Sequence, residues 1–240
     1  MKGGMRVSSF ALRLLALFTM VIDHAGLALF PRIGAFRCVG RLSFPLYCFL
    51  LAQGCRHTRD LRAYARRLLL TACLSEIPFD LLIFGRATCL TEQNVLFSLL
   101  LGLMAIYACE ALAGRPQLAV LAVTAIMLAA MLARVSFGWL GVALCVCLYK
   151  AEGSRARQAG SVVLLEGVYC LSLLLSGVAR SWVLVSLCGA LAAVPVLLYN
   201  GKRGLRSTGL TLLFYAAYPL HLIALALVRA LRVIPPYFFG

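Results

Sequence analysis

Acidic residues are scarce in this chain: eight Asp and Glu stand against 23 Lys and Arg in 240 residues. Charged residues of both signs make up 13%, where about 25% is usual in a soluble domain. That shortage excludes a solvated surface over most of the chain. Histidine is limited to three residues, with no H-x-x-H or H-E-x-x-H spacing, which argues against a metal centre. The ten cysteines include no C-x-x-C pair, and the nearest two, Cys145 and Cys147, diverge on a helix, so they read as small apolar packing residues. A G-x-S-x-G elbow and Gly-rich nucleotide loops are missing as well. No basic helix or aromatic-interleaved basic patch stands apart from the apolar segments, so the net charge of +15 does not point to nucleic acid.

What the chain has instead is apolar length. Hydrophobic residues reach 63%, against roughly 45 to 50% in ordinary globular proteins, in runs about one bilayer long divided by short basic, Gly- or Pro-containing breaks. The pattern predicts an all-α polytopic membrane bundle of nine transmembrane helices, over 10–30, 38–54, 67–84, 95–113, 118–133, 137–149, 161–178, 181–199 and 210–228. The first run carries Arg13, Asp23 and His24 and lacks an A-x-A-like exit, so it reads as a retained helix rather than a signal peptide. With no repeat or low-complexity linker, residues 1–240 read as one integral-membrane domain. Alternate connections hold 14 and 7 Lys and Arg, and the richer set includes the N-terminal stretch. The positive-inside rule therefore puts the N-terminus in the cytoplasm and the C-terminus outside. The weakest span is 137–149, and its loss would reverse everything after it.

A charge at the bilayer centre costs roughly 2.5 to 3.5 kcal/mol, so the ionisable residues within spans are informative. Asp23, His24, Arg41, Asp80 and His221 fall at mid-membrane or in its outer half although they come from four helices, which suggests a polar cavity. Arg13 and His24 lie eleven residues apart, about 20° from eclipsed and about 16 Å apart along the axis. A ligand with a phosphate-bearing head and a thin reactive arm would bridge them, and coenzyme A has that shape. Glu76 and Asp80 share a helix face across Pro78 and are expected to flank Arg41. Asp23 points about 100° away from His24 and is expected to pair with Arg41. Asn94 caps the fourth helix or contacts an acceptor from the outer side.

Six ordered strings carry a family resemblance: Met20-Val-Ile-Asp-His24, Gly40-Arg-Leu-Ser-Phe-Pro-Leu46, Gly54 followed by His57-Thr58-Arg59, Ser75-Glu-Ile-Pro-Phe-Asp80, Gln93-Asn-Val-Leu-Phe-Ser-Leu-Leu-Leu-Gly102 and Phe214-Tyr-Ala-Ala-Tyr-Pro-Leu-His221. Together they resemble the TraX family, named for the conjugative F-pilin acetylase. The resemblance implies a bacterial inner-membrane protein that transfers an acetyl group from acetyl-CoA to a pilin N-terminal amine. Arg13-x10-His24 is more distantly similar to the basic-x10-His signature of acyltransferase type 3 proteins. The chain departs from its relatives at Ser136-Phe137-Gly138, where they carry an acid before Tyr-Gly, and the family's breadth leaves the acceptor open between a pilin-like protein and a glycan.

On this reading His24 is the general base, against the plainer role of an interhelical hydrogen-bonding residue. Asp23, Arg41 and His221 complete the catalytic candidates: Arg41 either stabilises an oxyanion or neutralises an acid, and His221 is a second base or a packing ring. Arg13, His57 and Arg59 are the candidates for binding acetyl-CoA, with snorkelling to the interface as the alternative for Arg13. Glu76, Asp80, Asn94 and Tyr218 are candidates for contacting the acceptor or organising the site. Two other classes share these features: a proton-coupled transporter or flippase, which also needs intramembrane charge, and a non-catalytic assembly factor for a surface structure.

Overall fold

The computed structural model describes residues 7–58, 60–205 and 207–231. Its helices are α1 (Ser9–Leu29), α2 (Gly34–Gly40), α3 (Ser43–His57), α4 (Leu61–Phe84), α5 (Val95–Ala111), α6 (Pro116–Leu132), α7 (Gly138–Lys150), α8 (Arg155–Leu175), α9 (Arg180–Leu187), α10 (Ala193–Leu197) and α11 (Thr208–Leu231). A 3₁₀ turn over Cys188–Ala192 joins α9 to α10, and α2 and α3 meet at a break at Arg41 and Leu42. Counting each broken pair once gives nine helical units among the described residues, at the nine predicted positions. Five units are long and apolar enough to cross a bilayer, and α5, α6 and α7 are shorter apolar helices. Helix α4 is long too but carries Arg67, Glu76 and Asp80. The chain is a polytopic helical membrane protein.

Local chemistry fixes the helix ends. Ser8, Asp60, Asn94 and Ser154 accept from the backbone amides of Ala11, Ala63, Leu96 and Arg157, which supplies partners to first-turn donors that have none within the helix. Pro116 opens α6, where its missing N–H costs nothing. Gly85 ends α4 with φ of 68°, a left-handed position that glycine takes without strain.

The shortest of the nine units is α7. Thirteen residues give about 20 Å, less than the roughly 30 Å hydrocarbon thickness. It sits inside the bundle, with Leu140, Leu144 and Leu148 fully buried and α3, α5, α6 and α8 packed around it. Small residues bring these helices close: an added Cβ at Gly102 would lie 2.5 Å from Cys145 Sγ, and one at Gly141 would lie 2.9 Å from Phe44, the close-approach packing that membrane helices favour. Leucines such as Leu74, Leu132, Leu164 and Leu175 face outward, more than half exposed, as a lipid-facing surface requires.

The connections gather at two ends. At the first, Ser9 Oγ meets the Tyr199 hydroxyl at 2.8 Å, Arg56 pairs with Glu152 at 2.5 Å and Lys150 with Glu110 at 3.7 Å. At the second, the Gln93 amide donates to the Arg134 carbonyl (2.9 Å) and the Ser136 amide to the Gln93 carbonyl (3.0 Å). The described members of the richly and poorly basic connection sets thus separate onto opposite ends. Lys2, Arg6, Arg59, Arg206 and Arg232 lie outside the described residues.

Candidate functional site

Two cavities lie in line within the bundle. The larger, about 300 Å³, runs from the first end past Ser9, Arg13, His57, Arg67 and Arg203. The smaller, about 130 Å³, is lined by Asp23, His24, Arg37, Arg41, Glu92 and Ser136 among others, and approaches the second end through exposed Glu92. Met20, Tyr47, Val95 and Tyr218 line both, so these four form a waist between two chambers. Arg13 lines the larger chamber and His24 the smaller, on opposite sides of that waist.

His24 comes from α1 and His221 from α11, and their rings stack with centroids 5.0 Å apart. His24 Nδ1 lies 2.7 Å from His221 Nε2, and His221 Nδ1 lies 2.8 Å from the Ala217 carbonyl oxygen. A carbonyl only accepts, so His221 Nδ1 carries a hydrogen. The neutral His221 ring then has its lone pair on Nε2, and His24 Nδ1–H donates to it. The outcome is a neutral His24 whose remaining nitrogen, Nε2, holds a lone pair. His221 lies behind His24 and does not line the smaller chamber. Its contact is with His24 and not with the chamber.

Asp23 pairs with Arg37 Nη1 at 2.5 Å, not with Arg41 as the sequence predicts. The reason is Gly40: a Cβ there would run into the Asp23 carboxyl, so the bare glycine lets α2 close on α1 and brings Arg37 to the acid. Arg41 lies over the Phe137 ring, 5.6 Å from its centroid, a cation–π contact, and makes no ion pair among the described residues. Phe137 is held with φ of 64°, a conformation costly for a non-glycine residue, and stacks on Phe44 at 3.9 Å.

Glu76 and Asp80 do not flank Arg41. Glu76 accepts from the Asn94 amide (3.3 Å) and from Asn94 Nδ2, and Asp80 accepts from the Cys89 amide at 2.6 Å. Both carboxylates bind the loop between α4 and α5, because its unpaired amides lie against α4 while Arg41 lies across the chamber. Asn94, fully buried, also donates to the Ala72 carbonyl at 2.9 Å. Glu76, Asp80 and Asn94 line neither chamber, so an acceptor-contacting position is not what the structure gives them. His57 lines the larger chamber, Tyr218 sits at the waist, and Arg59 lies outside the described residues.

The sequence reading missed Arg37, Glu92, Ser136 and Phe137 in the smaller chamber, and Arg67 and Arg203 at the mouth of the larger one. Ser136 Oγ lies 2.6 Å from Glu92 Oε1. The chain thus brings a carboxylate from the loop before α5 to the place where its sequence departs from the acidic pattern. Of the six buried side-chain atoms without a partner among the described residues, four, Asp23 Oδ1, Arg37 Nε, Arg41 Nε and the Tyr218 hydroxyl, belong to residues that line this chamber; the other two are Glu76 Oε1 and Asp80 Oδ1. Buried polar groups are ordinarily satisfied, so this concentration identifies a polar pocket and not a packing core.

The family model "TraX protein" matches residues 8–229. The chain is 28% identical to the probable fimbrial assembly protein FimC, serogroup H1, of Dichelobacter nodosus, over 91% of this chain and 94% of that protein. No solved structure matches. With six ordered motifs along the chain and a family model covering nearly all of it, this protein belongs to the TraX family.

Proposed function

We propose that this protein is an acyltransferase of the bacterial inner membrane that moves an acetyl group from acetyl-CoA to an amine or hydroxyl of a cell-surface acceptor, foremost the N-terminal amine of a pilin-like protein. The observation that carries the reading is the unpaired Nε2 of His24, set in the smaller chamber just past the waist from a basic mouth. Charge bias places that mouth in the cytoplasm, where acetyl-CoA is available. Arg13, Arg67, His57 and Arg203 offer donors suited to phosphate oxygens, and the chamber behind them narrows between Tyr47 and Tyr218 as a thin acyl-bearing arm requires. Acetyl-CoA is a substrate in this scheme.

The chemistry then follows from the histidine pair. His24 Nε2 accepts a proton from the acceptor as its nitrogen or oxygen attacks the thioester carbon. Proton uptake makes the ring cationic, and the hydrogen bond from Nδ1–H to His221 strengthens. As the tetrahedral adduct collapses, the C–S bond breaks and the departing thiolate takes the proton from His24. Asp23 and Arg37 neutralise one another beside the base, and Arg41 adds positive potential to the chamber.

The relative described as a probable fimbrial assembly protein supports a fibre subunit as acceptor. The same description suits a second reading, a non-catalytic assembly factor. The two separate on His24→Ala protein of normal abundance, with mass spectrometry of surface proteins and glycans from cells with and without the gene. The acyltransferase loses its acyl mass in both the deletion and the variant. Normal acylation in the variant, or masses unchanged by deletion, would refute the reading.

A further inference from the structure

The waist holds a polar group that the histidine pair does not use. Tyr218 is 4% exposed, lines both chambers, and its hydroxyl finds no hydrogen-bond acceptor among the described residues. Its ring lies edge-on to His24, with centroids 6.4 Å apart, and to His221 at 5.5 Å. On the other side stands the N-terminus of α5, seventeen residues long and capped by Asn94. The Asn94 side chain takes the Leu96 amide, and Val95, the first residue of the helix, lines the same waist as Tyr218. The hydroxyl proton has no acceptor of its own.

A buried donor without an acceptor normally costs roughly 1 to 3 kcal/mol. A phenylalanine would fill the same space without that cost. The group therefore makes sense where its acceptor exists only during reaction. Resting on the acyltransferase reading, we propose that the Tyr218 hydroxyl is the oxyanion donor for the thioester carbonyl.

When the acceptor attacks, a bond forms from its nitrogen or oxygen to the carbonyl carbon. The carbonyl π pair moves onto oxygen, where Tyr218 O–H donates to it. The acceptor proton passes to His24 Nε2. When the carbonyl re-forms, the C–S bond breaks, the thiolate recovers that proton and Tyr218 is released unchanged. Such a donor acts on developing charge, so it raises the turnover rate more than it tightens substrate binding.

The test uses the full-length protein in lipid nanodiscs with acetyl-CoA and a short peptide bearing a free N-terminal amine. Release of CoA and the acetylated peptide are both measured. Tyr218→Phe should lower kcat about 100-fold, leave KM for acetyl-CoA within about threefold, and keep the pH profile of the wild type. Its melting temperature should be equal or higher, since no hydrogen bond of the resting protein is lost. In vibrational spectra of bound ¹³C-carbonyl acetyl-CoA, the carbonyl stretch should lie lower in the wild type than in the variant. A variant with kcat within threefold of wild type, a loss confined to KM, or an unchanged carbonyl stretch would overturn this assignment alone. A wild type that transfers acetyl to neither peptide nor water overturns the acyltransferase reading and this assignment with it.

Discussion

Replacing His221 with phenylalanine keeps an aromatic ring beside His24 and removes the nitrogen that accepts from it, together with the Nδ1–H that bonds the Ala217 carbonyl. In the native protein His24 Nδ1–H donates to His221 Nε2 across 2.7 Å, which fixes the tautomer that leaves Nε2 free. In His221→Phe that donor is buried without a partner, at a cost of roughly 1 to 3 kcal/mol. The ring escapes the cost by moving its proton to Nε2 or by turning over, and either change removes the free base from the chamber. The same interval is a rate loss of about 5- to 150-fold, expected in kcat with KM for acetyl-CoA little changed. Two measurements isolate the effect from general damage. The ¹⁵N spectrum of His24 should show the protonated nitrogen changing in His221→Phe, and in a His24→Ala background the second substitution should cost nothing further, because its action runs through His24. Full activity in His221→Phe with an unaltered His24 spectrum would refute the tautomer argument.

Arg37→Ala should destabilise the protein by about 3 to 5 kcal/mol, because it strands the Asp23 carboxylate. Asp23→Asn with Arg37→Gln should recover most of that loss, as read by melting in detergent and by membrane abundance. Arg67→Ala and Arg203→Ala at the mouth should each raise KM for acetyl-CoA by up to about tenfold, with kcat unchanged and the difference shrinking as salt is raised; kinetics at two ionic strengths check this.

The nine helical units are legible in the sequence because hydropathy over a bilayer-length window is a strong, local signal. Their ends are less so. Helix α4 begins at Leu61, six residues before its predicted start, because Asp60 caps it and Arg62, Arg66 and Arg67 extend from the membrane at the basic end. The Arg13 and His24 placement was readable because helical periodicity alone determines it. Pairing between helices was not. Nothing in the spacing joins His24 to His221, 197 residues away. The choice between Arg37 and Arg41 for Asp23 depends on a close approach that only Gly40 permits. Glu92 carries no spacing signal in the sequence, since its relation to Ser136 arises where the α4–α5 and α6–α7 connections pair.

The buried polar residues divide by what their free atoms face. Glu76, Asp80 and Asn94 bind backbone groups of their own neighbourhood and line neither chamber, so their removal should act through folding. Asn94→Ala makes the case: it would delete the α5 cap, the bond to Ala72 and the partner of Glu76 together, so abundance and melting temperature should fall. The fraction that still folds should turn over acetyl-CoA at nearly the native rate per molecule, because the Asn94 side chain bonds to Ala72, Glu76 and Leu96 and to none of His24, His221, Arg41 and Tyr218. An Asn94→Ala protein that is abundant and thermally normal but slow would move Asn94 into the reaction, and the boundary between scaffold and chamber drawn here would have to shift by a helix turn into α5.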